Sequence, residues 1–157
     1  MGVGFMVMGL YESFLYSFLA TIAFAVLFQA PKRTLIISGV IGAIGWVVFV
    51  YLRQHLEYNS FHANFFATIA LSLISELSAR MFKQPATVFL IPGIIPLVPG
   101  LGMYRGMKEI IEKSFDAGTN TLLTAGTDSA AIALGIMVTA SIFRVIKMSA
   151  DKNIWSR

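Results

Sequence analysis

Charged residues in this chain gather into short clusters, and the stretches between them are long and apolar. Ser13–Pro31, Thr34–Leu52, Tyr58–Ser75 and Gln84–Tyr104 contain no Asp, Glu, Lys or Arg, and Ala117–Phe143 contains one, Asp128. A helix rises about 1.5 Å per residue, so about 20 residues cross a hydrocarbon layer ~30 Å thick. Each stretch meets that length. The pattern predicts an all-α integral membrane protein of five transmembrane helices, at about residues 10–29, 34–52, 60–79, 85–104 and 120–146. They form one transmembrane domain over residues 1–157, with no room for a separate soluble one. No strand alternation, low-complexity tract or internal repeat is visible.

Polar and small residues inside the spans fall at helical spacing. Ser13, Ser17 and Ala20 mark one face of the first, and Gly39, Gly42 and Gly45 line the second. Small residues let membrane helices approach closely, so both stripes read as packing within the chain. Thr68, Ser72, Ser75, Glu76 and Ala79 share a face of the third span; Thr124, Asp128, Ala131, Gly135 and Thr139 share a face of the fifth. A carboxylate facing lipid is costly, so both faces are expected to look inward and to flank the fourth span.

The fourth span departs from a regular helix. It reads Ile91-Pro92-Gly93-Ile94-Ile95-Pro96-Leu97-Val98-Pro99-Gly100. Proline removes a backbone donor and clashes with the preceding turn, so the helix is predicted to break here. Within a bilayer, irregular backbone persists only where protein covers it or where it lines a wet cavity. Two readings stand: a packing kink, or freed peptide groups that hold a polar solute, as in transporters with discontinuous helices. Between the fourth and fifth spans, Met107, Ile110, Ile111, Ser114 and Phe115 lie on one face of Gly106–Thr119, with charges on the rest. That pattern predicts an amphipathic helix along the interface, capped at its C-terminus by Gly118.

Composition agrees with the pattern. The chain is 57% hydrophobic and 13% charged, with mean hydropathy +0.76 and net charge +4. The positive balance reads as loop lysines and arginines that set topology, not as a nucleic-acid surface. With the N-terminus outside, Lys32, Arg33, Arg80, Lys83, Arg144, Lys147, Lys152 and Arg157 lie inside, and Arg53, Arg105, Lys108 and Lys113 outside. The positive-inside rule therefore favours N-out, C-in; a re-entrant fourth segment gives a weaker asymmetry. The first apolar stretch lacks a positive flank and spans fully, which reads as a retained helix rather than a cleaved signal. Trp46, Tyr51, Tyr58 and Tyr11 near the outer ends suit an interfacial aromatic belt.

Candidate chemistry is sparse. There is no cysteine, and His55 and His62 lack partners at metal-ligand spacing. No Walker A, H-E-x-x-H or G-x-S-x-G occurs, so neither a cofactor nor an enzyme is expected. Asp128 and Glu76 are the acids in apolar sequence, and such acids serve as proton carriers or contacts for polar substrates. For Glu76 the competing reading is an ion pair with Arg80, one turn on. For Asp128 it is a hydrogen bond to a Ser or Thr of another helix. Thr124 and Thr127 lie near Asp128 in sequence. Arg105, just past the broken span, either anchors the helix end in headgroups or meets a substrate carboxylate.

Pro85-Ala86-Thr87-Val88-Phe89, running into the Pro92–Gly100 segment and Tyr104-Arg105, resembles the signature of the threonine/serine exporter family. The likeness is to its short, five-span, small-subunit type. Phe24 and Phe28 before Pro31-Lys32-Arg33, Gly42-x-x-Gly45-Trp46, Glu76-x-x-x-Arg80 and Ala133-Leu134-Gly135 add to the resemblance, which covers nearly the whole chain. It implies a multi-pass protein of the bacterial plasma membrane that exports small polar metabolites on the proton-motive force. The implied solute is threonine or serine, with a dicarboxylate such as succinate as the alternative. The implied partner is a larger membrane subunit of the same family or a second copy of this chain. Five spans are odd in number, so a five-span half joined to this one would be inverted. The residues expected to contact solute or couple its movement are Asp128, Glu76, Pro92, Gly93, Pro96, Pro99, Gly100, Thr124, Thr127 and Arg105. A non-transporting scaffold subunit and a small channel are the rival functions.

Overall fold

In the computed structural model, residues 9–155 are described, with side chains to residue 146; the side chains of Lys147, Lys152 and Arg157 lie outside them. The helices are α1 (Leu10–Leu27), α2 (Leu35–Gln54), α3 (Ser60–Phe82), α4 (Thr87–Ile94), α5 (Gly100–Glu112) and α6 (Phe115–Trp155). Short 3-10 turns precede α2 at Lys32–Thr34 and follow α4 at Ile95–Leu97. Among the described residues four helices are long and apolar enough to cross a membrane, and five spans result if the bent pair α4–α5 counts as one.

Burial runs opposite to that of a soluble protein. Ser13, Ser17, Thr21, Ser38, Asn64, Thr68, Ser72 and Ser75 are buried, while Leu19, Leu27, Ile36, Met137 and Val145 are exposed. Lipid is as apolar as leucine, so burying leucine gains little there; small residues that admit close backbone contact gain more. A Cβ on Gly39 would lie 2.7 Å from Ile22 Cγ1, and one on Gly42 would run into the Thr21 side chain. These glycines seat α1 on α2. A compact apolar cluster of Ile41, Leu71, Phe89, Leu97 and Ile132 joins α2, α3, α4 and α6.

The helix ends have local causes. Residues Gln29, Glu57 and Lys83 adopt left-handed backbone, with φ of 56°, 51° and 52°. Ala30 N donates to Ala25 O and Gln84 N to Ala79 O, the long-range bond of a Schellman stop, while Tyr58 N reaches back six residues to Leu52 O. Asn59 begins α3, its Oδ1 accepting from His62 N at 3.0 Å. Ser114 begins α6, its Oγ accepting from Ala117 N at 3.3 Å.

The amphipathic helix differs from expectation. It is not a separate element ending at Gly118, because residues Gly100–Glu112 are helical as α5 and Gly118 lies inside α6. The reason is steric: a Cβ on Gly118 would come within 2.6 Å of the Gly106 carbonyl and the Ile110 amide. Gly118 serves the crossing of α5 over α6 rather than a helix stop. Thr121 Oγ1 donates to Glu109 Oε2 across this hairpin at 2.6 Å. Glu109 lies beyond the predicted fourth span. The Thr121 bond, and then the charge of Lys113, hold its carboxyl below the ordinary value.

Candidate functional site

Three contacts set α6 beside α3. Ser60 Oγ donates to Asp128 Oδ2 at 2.7 Å. A Cβ on Gly135 would lie 3.0 Å from the Phe65 carbonyl and from Thr68. Arg80 sits 4.9 Å from the centre of the Phe143 ring. The contacts occur in the same order along both helices, so α3 and α6 run parallel. Their polar faces meet each other directly. The expected arrangement, with α4 between the two faces, is not what forms: α4 packs on α2 and on α3 at Leu71, where Gly93 admits it. A helix-to-helix seam is the shorter way to bury two matching polar stripes.

This seam is lined with polar atoms that lack partners. Asn64 Oδ1, Thr68 Oγ1, Ser72 Oγ, Ser75 Oγ and Asp128 Oδ1 are enclosed and form no hydrogen bond among the described residues. Apart from Asp128 they follow one face of α3 at three- and four-residue spacing. Such groups are costly unless something meets them, about 1–3 kcal/mol each. Asp128 lies level with the first residue of α3, at one end of the bundle, and the residue is 8% exposed. Its inter-helix hydrogen bond to a serine is formed, and its second oxygen stays free.

The break in α4 is visible in its hydrogen bonds. Pro92 has no N–H to give the Val88 carbonyl four residues back, and Ser38 Oγ of α2 donates to that oxygen at 3.4 Å. Val98 N is shared between the carbonyls of Ile94 and Ile95, both at 3.2 Å. Pro92 and Gly93 are buried, Pro96 and Pro99 half-buried, and Gly100 and Arg105 exposed. The axis bends by 40° between Thr87–Leu97 and Gly100–Glu112. Beyond the bend, α5 leaves the bundle to pair with α6.

A cavity of about 430 Å³ opens beside the first half of α4, lined by Phe28, Gln29, Ala30, Pro31, Thr87, Val88, Ile91 and Pro92. That volume suits a small solute. It lies where α1 ends and α4 begins, at the end of the bundle away from Asp128, with Gly93 and its neighbours between.

The structure gathers some of the expected site residues and scatters others. Glu76 is half-buried near the far end of α3, roughly 24 Å along the axis from Ser60. It forms no ion pair among the described residues, and Arg80 turns to Phe143 instead. Thr124 and Thr127 are exposed, and their hydroxyls bond to Asn120 O and Thr124 O of their own helix. Ser60 and Asn64 went unremarked in the sequence, although Ser60, Asn64, Thr68 and Ser72 repeat strictly every four residues. Among the described residues no three of His, Cys, Asp or Glu converge to hold a metal.

Comparison with known proteins bears on this arrangement. The family described as "Threonine/Serine exporter, ThrE" matches residues 13–142, more than four-fifths of the chain. The chain is 29% identical over 125 residues to a threonine/serine exporter of Corynebacterium glutamicum, a match covering 80% of this chain and 25% of that one. It is 27% identical over 112 residues to an uncharacterized protein of Haemophilus influenzae, covering 71% and 37%. The chain thus spans between a quarter and two-fifths of the relatives it matches. No solved structure matches it.

Proposed function

Because the chain belongs to the threonine/serine exporter family, we propose that it is a subunit of a secondary exporter of small polar metabolites, threonine or serine foremost. Export is driven by the proton-motive force across the plasma membrane of a bacterium. The observation that carries this reading is the enclosed acid of the α3–α6 seam, one of whose oxygens is unpaired. A buried carboxylate with a free oxygen can take a proton or a solute donor, and a purely structural acid has no need of one.

In this reading α4 and the first part of α5, to about Tyr104, make the fourth of five spans, giving N-out, C-in. The cavity beside Pro92 is then the inner vestibule, and Asp128 lies toward the outer face. The broken helix stands between them, where a small change of backbone joins one to the other. The relatives are longer, which supports a mechanism completed by a larger membrane subunit of the same family.

The test is uptake into inside-out vesicles carrying this chain with and without that partner, against threonine, serine and succinate. Threonine uptake that needs both subunits and collapses with a protonophore is expected. Uptake indifferent to the protonophore would remove proton coupling, and full uptake by the partner alone would leave this chain a supporting role.

A further inference from the structure

Hydrogen-bond arithmetic around Asp128 leaves two enclosed oxygens, one of a carboxylate and one of an amide, that no donor among the described residues meets; the nearest spare donors are the second N–H of Asn64 and the hydroxyl of Thr68, and neither reaches them. Ser60 has one hydroxyl hydrogen, and it goes to Asp128 Oδ2. Toward Asn64 its oxygen can therefore only accept, so the Asn64 atom facing it, at 3.5 Å, is the amide nitrogen. That orientation leaves the Asn64 carbonyl oxygen without a partner. Asn64 Oδ1 and Asp128 Oδ1 are both enclosed and both unmet. Their residues are 2% and 8% exposed. No cation among the described residues answers them: the two ion pairs lie within α5 and at its end, Arg53 at this end of the bundle gives its guanidinium to the Tyr58 carbonyl, and Arg80 lies at the other end of α3.

We propose that Ser60, Asn64 and Asp128 form the subsite for the ammonium group of the exported amino acid. The assignment rests on the exporter reading above. A primary ammonium carries three N–H donors, a positive charge and no acceptor. Here it meets the free oxygens of Asp128 and Asn64 and the remaining lone pair of Ser60. A hydrogen bond between charged partners is the strong kind. A dicarboxylate offers this subsite only acceptors and a second negative charge, so the same three residues that hold an amino acid exclude it. The subsite thereby separates threonine and serine from succinate.

Competition on the wild-type complex in vesicles tests the chemistry directly. Threoninol, which keeps the ammonium and lacks the carboxylate, should compete with threonine uptake; N-acetylthreonine and succinate should not. Asn64→Leu keeps the side chain's size and removes its oxygen. It should raise the KM for threonine about tenfold or more, with a smaller change in kcat. Equal competition by N-acetylthreonine or succinate, or an unchanged KM in Asn64→Leu, would overturn the subsite and leave the exporter reading standing. Should the wild type move no solute, the exporter reading fails and thermal unfolding of the purified chain decides the subsite. Threoninol should then stabilise the wild type and N-acetylthreonine should not; no stabilisation by threoninol rejects it. If Asn64→Leu does not assemble, Ser60→Ala serves in its place, with the same rise in KM expected.

Discussion

Two seams of this protein use the same residue types to different ends. Between α1 and α2, serine, threonine and glycine recur at three- and four-residue spacing, and the helices close directly on each other through Gly39 and Gly42. Ser17 Oγ donates to the Ser13 carbonyl at 2.7 Å, and Ser38 answers the carbonyl that Pro92 leaves free; among the enclosed side-chain atoms of the described residues there, Thr21 Oγ1 alone stays unmet. Between α3 and α6 the spacing is alike, yet four side-chain oxygens of α3 and one of Asp128 have no partner among the described residues. The first seam is packing completed within the chain. The second is packed but chemically unfinished, which is the mark of a site.

Substitutions that attack one seam should leave the other alone. Asp128→Asn is expected to have the largest effect: proton-coupled export is lost while the complex still assembles. Wild-type export rates in that variant would remove Asp128 from the mechanism. Gly42→Val comes next, because even a Cβ there meets Thr21. It should cost about 3 kcal/mol of stability, read as a lowered unfolding midpoint in detergent. An unchanged midpoint would show that α1 and α2 have slack.

Thr68→Val sharpens the contrast. It removes a buried hydroxyl that has no partner and replaces it with a methyl of like size, so stability should rise by about 1 kcal/mol while threonine export falls. Lower stability together with unchanged export would make Thr68 an ordinary packing residue. Lys83→Gly relieves a left-handed backbone in a lysine that ends α3. It should add about 1 kcal/mol or less, with export unaffected.

The smallest effect concerns pH at the α5–α6 hairpin. The Glu109 carboxyl is held below its ordinary value of 4.5, first by Thr121 and then by Lys113. A depressed acid contributes stability above its unfolded value and loses it as pH falls through the folded one. Hydrogen exchange in the hairpin should therefore speed up as pH drops below about 4.5, after correction for intrinsic rates. Thr121→Val should flatten that dependence.

Much of the architecture was legible in the spacing of charges. The apolar stretches are bounded by Lys, Arg and Glu, and a bilayer admits little but helices between such bounds. The glycines of α2 announced close packing, and the Pro92–Gly100 run announced a break. The hairpin was misread because Gly118 is equally at home at a helix stop and at a helix crossing. Local sequence does not distinguish them; Ile110 and Gly106, brought in from α5, do.

The sequence by itself determined where helices run, which faces carry polar atoms and where the fourth helix fails. Those follow from the rise per residue, the helical period and the missing amide of proline. Only the tertiary structure decided which polar faces meet. It set Asp128 against Ser60 at the start of α3, left Glu76 without an ion pair among the described residues, and put Thr124 and Thr127 out of reach. Period along a chain fixes an angle around an axis, whereas a partner across a seam depends on the offset between two axes, which no spacing within one helix encodes.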